Sequence, residues 1–299
     1  MIRIFITFIT TTFLVPALAL AAMTSEPGSS KTIYGNDDRF DLYQVTNSAW
    51  KTLADSTVAL VNASDVLLDP NQKLAKLKGA RFGDQRQLCS DERFFEQQVS
   101  AFCSGFLVAP DVIATAGHCV DDQSRCSNIR FIFGFTINHE GDNPANIPVQ
   151  EIYECSKLLG REQNDAGADW ALVRLNRPVT GHAPLAINRQ SNIIQDAPLM
   201  VIGHPSGLAT KVAGGANVRD ASPAEYFVAN LDTFGGNSGS AVFNANTGLV
   251  EGILVRGAND FAYDSSRECY VSNVCAPNDC RGEDSTKMSA VKGLFKTAN

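Results

Sequence analysis

Several residue types that carry chemistry are scarce in this 299-residue sequence. It has 4 histidines, 4 methionines and 2 tryptophans. The histidines are scattered and no CxxC pair occurs, which excludes the usual spacing of a zinc site. Acidic pairs such as Asp121-Asp122 lack the ligand spacing of a calcium loop, so no metal site is expected. Positive charge is not in excess: 25 Lys and Arg stand against 32 Asp and Glu, a formal net charge of −7. A general nucleic-acid partner needs a basic face to displace phosphate counterions, so none is expected. Past the first twenty residues no apolar run is long enough to span a bilayer. There is no internal repeat and no low-complexity tract.

With 44% hydrophobic and 19% charged residues, the chain can bury a sizeable core, in one large domain or two tightly joined subdomains. Its N-terminus reads as an export signal: Arg3, then apolar sequence from Ile4 to Leu20, then the small residues of Ala19-Leu20-Ala21. Cleavage is expected after Ala21. The apolar run of about 17 residues is at the lower limit for a membrane span, so an uncleaved anchor is the alternative. Residues 22–31 are a polar leader or short pro-segment, and Lys31 is a processing point before Thr32-Ile33-Tyr34-Gly35. Eight cysteines follow, at 89, 103, 119, 126, 155, 269, 275 and 280. An even number behind an export signal predicts disulfides and a secreted or periplasmic protein.

Residues 36–55 read as an N-terminal arm. Beyond it come short β-rich runs bounded by Gly, Pro, Asn or Asp: 56–61, 101–108, 112–116, 129–135, 170–175, 199–203, 226–231, 240–243 and 249–255. Many short strands with little helical periodicity predict an all-β sandwich or barrel. The charged stretch around 65–98 is the exception, and holds a helix or a long surface insertion.

Three segments carry candidate chemistry. Gly235-Gly236-Asn237-Ser238-Gly239-Ser240 contains a serine on a glycine-permitted sharp turn. The amides of Gly236 and Ser238 would form an oxyanion hole there; taken alone, the string also fits an ordinary turn. A serine nucleophile needs a base with a pKa near working pH, which histidine supplies. His118, in Thr115-Ala116-Gly117-His118-Cys119, is the best candidate. His139 and His182 lie in polar connectors, and His204 in a tight Gly-His-Pro-Ser-Gly turn. Asp169 opens the buried-looking run Trp170–Leu175, where a carboxylate must be paired and could orient a histidine. Asp165 looks like part of a solvated turn.

Ala116-Gly117-His118-Cys119, Asp169-Trp170-Ala171-Leu172 and Gly236-Asn237-Ser238-Gly239, in that order, resemble the motif set of the chymotrypsin/trypsin clan of serine proteases. The resemblance covers roughly residues 56–260. It implies two six-stranded antiparallel β-barrels, the first about 56–180 and the second about 181–299, within a domain spanning 32–299. It also implies a catalytic triad of His118, Asp169 and Ser238, and a Cys103–Cys119 disulfide beside the histidine. The implied activity is that of a secreted serine endopeptidase acting on proteins or peptides, by a mechanism that needs no metal or organic cofactor; a non-catalytic binding protein on the same fold is the alternative. The protein would be a monomer with no stable membrane association after signal removal. Six other cysteines allow 15 pairings, with at least one short bridge expected among 269, 275 and 280.

Asn237 stands where trypsins carry the aspartate that pairs with a new N-terminal ammonium, so activation by that ion pair is not expected. The Gly-Asn-Ser-Gly-Ser form is closer to bacterial glutamyl endopeptidases. Those enzymes carry a histidine on the following strand, where this chain has Leu254, and Glu specificity is not favoured. Asp232, six residues before Ser238, matches the trypsin pocket base and implies cleavage after Arg or Lys; the alternative is an aspartate that faces away. Thr233, Arg256 and Gly257 would line the cleft.

Overall fold

In the computed structural model, residues 32–69, 73–189, 193–276 and 279–294 are described. The expected export signal (1–21) and leader (22–31) lie outside the described residues.

The first six core strands are β1 (Thr57–Asn62), β2 (Cys103–Ala109), β3 (Val112–Thr115), β4 (Ile129–Ile132), β5 (Ile152–Gln163) and β6 (Asp169–Leu175). They pair antiparallel in the order β4-β5-β6-β3-β2-β1, and β1 returns to β4 to close a barrel. Val, Ile, Leu and Phe recur in these strands because closure hides the inward face from water; β5 is the exception, polar and mostly unburied beyond Tyr153. The second set is β7 (Pro198–Gly203), β8 (Lys211–Asp220), β9 (Tyr226–Ala229), β10 (Ala241–Asn244), β11 (Val250–Arg256) and β12 (Glu283–Lys287). Its order is β7-β10-β11-β12-β9-β8, and β8 pairs with β7 to close a second six-stranded ring. The expected all-β architecture of two antiparallel barrels is therefore observed. One apolar core joins them: Phe106, Ile113 and Phe131 of the first barrel cluster with Ile202, Phe243 and Ile253 of the second.

Three of these twelve barrel strands are absent from the sequence-based reading. Strand β5 carries two bulges that break its alternation, and β8 has Gly214-Gly215 in its middle with register shifts toward β7 and toward β9. Strand β12 has the sequence Glu-Asp-Ser-Thr-Lys, which is polar throughout, yet its first four residues are buried.

The N-terminal arm is structured: Arg39–Asp41 pairs with the outer edge of β8, and Ile33–Tyr34 runs parallel to Val274–Cys275. In the 65–98 stretch, Val66–Leu68 and Leu74–Leu77 join Asn146–Pro148 in a small sheet, and a short helix spans Phe82–Arg86. All eight cysteines are bridged, as Cys89–Cys269, Cys103–Cys119, Cys126–Cys155 and Cys275–Cys280. The Cys103–Cys119 bridge closes a separation of 16 residues; a loop of that size is worth ~3 kcal/mol in the chain-entropy account. Among the described residues no helix is long and apolar enough to cross a membrane.

Candidate active site

Strands β3 and β6 are neighbours, with Thr115 opposite Ala171. The chain leaving β3 turns through a single 3-10 helix, Gly117–Cys119, and so delivers His118 to the start of β6, where Asp169 stands. The two side chains meet: Asp169 Oδ2 is 2.7 Å from His118 Nδ1, and Oδ1 accepts the His118 backbone N–H at 3.1 Å. The aspartate side chain is 4% exposed and the imidazole 27%. A buried carboxylate with two such partners fixes the ring orientation and keeps the proton on Nδ1, leaving Nε2 to accept one. Thr286 of β12 locks the aspartate from the other barrel, its Oγ1 accepting the Asp169 N–H and donating to the Asp169 carbonyl, each at 3.0 Å. Gly117 is needed for this approach: a Cβ there would lie 2.1 Å from the Glu162 carbonyl oxygen and 2.9 Å from Asp169 Oδ1.

Ser238 lies in the loop between β9 and β10, with Gly236 at φ +88° and Gly239 at φ +91°. Only glycine adopts such angles without strain. A Cβ on Gly239 would sit 2.0 Å from the Ser104 carbonyl oxygen. The Ser238 carbonyl accepts the Ser104 N–H at 2.8 Å and lies 3.8 Å from Cys119 Sγ. The serine loop thus rests on β2 and on the disulfide adjoining His118. Ser104 Oγ donates to the Gly236 carbonyl at 3.1 Å. No backbone acceptor among the described residues takes the Gly236 N–H.

Asn237 is buried and held without any ammonium. Its Oδ1 accepts from Ser240 Oγ at 2.7 Å, and its Nδ2 donates to Thr233 Oγ1 at 2.5 Å. Thr233 is therefore engaged inside the loop. His204, fully buried beneath it, donates from Nδ1 to the Leu208 carbonyl at 3.0 Å and stacks on Phe135. Desolvation lowers its pKa to about 3, which keeps it neutral. Cys103, His118 and Cys119 bring ring nitrogen and sulfur within 4.8 Å of one another, but both sulfurs are bound in the disulfide and cannot ligate a metal as thiolates.

The four expected pocket residues have different surroundings. Asp232 directs both carboxylate oxygens to the arm, Oδ1 accepting the Tyr34 N–H at 2.7 Å and Oδ2 the Asp38 N–H at 2.8 Å. Burial pushes its pKa up to about 6, outweighing these donors. Arg256 donates to Asp284 at 3.2 Å and to the carbonyls of Asn164 and Gly167, so it braces the turn before Asp169. Gly257 lies against Glu283, whose Oε2 would be 1.6 Å from a Cβ at 257.

The arm meets the serine loop at more points than Asp232. The Thr233 N–H donates to the Thr32 carbonyl at 3.3 Å, and the buried Arg39 guanidinium sits 3.9 Å from the centre of the Phe234 ring. Asp37 pairs with Arg39 at 2.7 Å. From the other side, Asp260 Oδ2 accepts the Gly235 N–H at 2.9 Å. Arg39 belongs to the Asp37-Asp38-Arg39 string that resembles glutamyl endopeptidases, whereas Asp260, Glu283 and Thr286 have no motif in the sequence to mark them. Glu283 and Thr286 belong to a polar run, and the ladders to β9 on one side and β11 on the other make it an interior strand.

The family model described as "Trypsin-like peptidase domain" matches residues 103–253, half of the chain. Two curated proteins are similar. One is "Secreted RxLR effector protein 73" of Plasmopara viticola, 29% identical over 169 residues, or 50% of this chain and 40% of that protein. The other is a "Glutamyl endopeptidase" of Bacillus licheniformis, 23% identical over 154 residues, or 48% of this chain and 46% of that protein. The matched part thus spans less than half the length of either relative. Among solved structures, a Glu endopeptidase in complex with MPD superposes with a TM-score of 0.49 at 17% identity, covering 87% of this chain and 95% of that chain.

Proposed function

Because the chain belongs to the trypsin-like peptidase family, we propose that it is an exported serine endopeptidase that cleaves after Arg or Lys through an acyl-enzyme. The observation that carries this reading is the His118–Asp169 pair, 2.7 Å apart and set on the same β2–β3 structure that supports the Ser238 loop. His118 Nε2 takes the Ser238 hydroxyl proton as Oγ attacks the scissile carbonyl. The Gly236 and Ser238 amides receive the oxyanion; a donor of this kind is worth ~3–4 kcal/mol in the transition state. The imidazolium, stabilised by Asp169, then protonates the leaving amine, and water releases the acyl group by the reverse sequence. Four disulfides are consistent with an oxidising compartment, secreted or periplasmic.

The glutamyl endopeptidase relative makes cleavage after Glu the second reading. Against it stands the apolar Leu254, at the position where the resemblance to glutamyl endopeptidases places their histidine. A cleavage profile of the purified protein on a mixed peptide library, with a Ser238→Ala control, separates the two. Cuts after Arg and Lys that vanish in the control are expected. Cuts after Glu refute the basic preference, and cuts that persist in the control refute Ser238 as nucleophile.

A further inference from the structure

The turn 164–168 that delivers Asp169 belongs to the first barrel, yet three side chains of the second barrel bind its backbone. Arg256 of β11 donates from Nη1 to the Asn164 carbonyl at 3.0 Å and from Nη2 to the Gly167 carbonyl at 2.9 Å. Glu225, the residue before β9, accepts the Ala168 N–H on Oε2 at 3.0 Å. Thr286 of β12 binds both backbone groups of Asp169. The Gly167–Ala168 peptide is thus held at both ends, its carbonyl by a guanidinium and its N–H by a carboxylate. Hydrogen bonds to ionised groups are the strong ones. The next peptide is held too: the Ala168 carbonyl accepts the Asn164 N–H at 2.9 Å, and the Asp169 N–H goes to Thr286. With two successive peptides fixed, the direction in which Asp169 leaves the chain is fixed. Gly167 makes room for this grip, since a Cβ there would lie 2.5 Å from Glu225 Oε2.

A bulge in β11 aims Arg256 at the turn. Leu254 pairs with Ser285 and Arg256 with Asp284, two steps on β11 against one on β12. Such a bulge redirects a side chain. The buried Asp284 accepts Arg256 Nε at 3.2 Å, which leaves Nη1 and Nη2 for the turn. The residue on the other side of the bulge serves the nucleophile. The Leu254 carbonyl accepts the Gly239 N–H at 2.7 Å, and the Leu254 N–H donates to the Ser240 carbonyl at 3.0 Å. Within two residues, ~7 Å along a strand, β11 therefore grips both the serine loop and the aspartate turn.

We propose that Arg256 and Glu225 are positioning residues for catalysis, which fix the Gly167–Ala168 peptide and so set Asp169, and with it His118, against Ser238. This gives Arg256 a role in place of the cleft contact expected from sequence. The inference rests on the endopeptidase reading and deepens it.

The test compares kcat and KM of the wild-type, Arg256→Met, Glu225→Gln and Glu225→Ala proteins on one peptide substrate, with thermal melts to confirm folding. Arg256→Met keeps the aliphatic stem and removes the donors. A misplacement of about 1 Å can cost about 100-fold in rate, so it should lower kcat by about that factor while KM changes less than about threefold. Glu225→Gln keeps an oxygen for the Ala168 N–H and should retain kcat within about threefold, whereas Glu225→Ala should lose about tenfold or more. A raised KM at unchanged kcat in Arg256→Met would mean a substrate contact, and equal activity of the two Glu225 variants would mean that the bond to Ala168 does not matter; either overturns the assignment. The Glu225 pair decides the case if Arg256→Met does not fold. A second readout needs no turnover: the downfield proton resonance of the His118 Nδ1–H bonded to Asp169. It should move upfield or vanish in Arg256→Met and Glu225→Ala and persist in Glu225→Gln; an unmoved resonance in the first two overturns the proposal. Labelling of Ser238 in the wild-type protein by a fluorophosphonate separates the two levels. Labelling with an unmoved resonance sinks the positioning role alone, whereas absence of labelling sinks the endopeptidase reading beneath it.

Discussion

Replacing Asp169 by Asn tests the hinge of the proposed chemistry with little disturbance to the fold. The Asp169 backbone bonds to Thr286 do not depend on the side chain and survive. The amide oxygen can take the place of Oδ1 and still accept the His118 N–H, now held at 3.1 Å. The amide nitrogen then falls where Oδ2 stands, 2.7 Å from His118 Nδ1. Being a donor, it forces Nδ1 to accept and moves the imidazole proton to Nε2, the atom that must receive the serine proton. In a serine protease with the same pair this substitution costs about 10⁴ in kcat, or ~5.4 kcal/mol at 1.36 kcal/mol per decade. Single-turnover acylation by an activated ester at neutral pH measures the effect directly, with thermal unfolding as the control for folding. A fall of less than about tenfold in a folded Asp169→Asn protein would refute the assigned role.

Three further outcomes are expected. Gly117→Ala places a methyl group 2.1 Å from the Glu162 carbonyl oxygen; it should lower stability by about 2–3 kcal/mol and slow acylation, as read by denaturant melts and the same ester. Asn237→Asp removes the donor to Thr233 and buries a charge, so it should lower both stability and activity; an unchanged melt would show that a cation already faces this position. The third is a pH effect. His204 titrates near 3 in the fold, against an ordinary value of 6.5. The unfolded chain thus binds a proton that the native state refuses between these limits. Its contribution is complete above pH 6.5 and falls away as the pH drops toward 3, by up to ~4–5 kcal/mol. His204→Asn keeps a donor for Leu208 without titrating and should flatten the stability profile over that window; an equally steep profile would contradict the burial argument.

The strand-rich segments were legible because β1, β2, β3, β6, β7, β10 and β11 are apolar runs bounded by turn residues, and because closed barrels bury such runs. Strand β12 was not, since its polar side chains are satisfied by partners distant in sequence: Asp284 by Arg256, Thr286 by Asp169 and Glu283 by Tyr34. His118 and Asp169 could be picked out because each motif combines one reactive side chain with the small or apolar neighbours that its position demands. Counting back from Ser238 located Asp232 along the chain but gave no direction for its side chain. That direction depends on the arm, whose amides at residues 34 and 38 close on it across some 200 residues of sequence. The arm itself is short and polar, so its role in holding the serine loop had no local signature.

The most direct test of the central claim is the mass of the purified, processed protein after reaction with a fluorophosphonate, followed by mapping of the modified peptide. The account predicts one adduct per chain, on Ser238, absent from Ser238→Ala and strongly reduced in His118→Ala. An adduct on another residue, or none on folded protein, would contradict it.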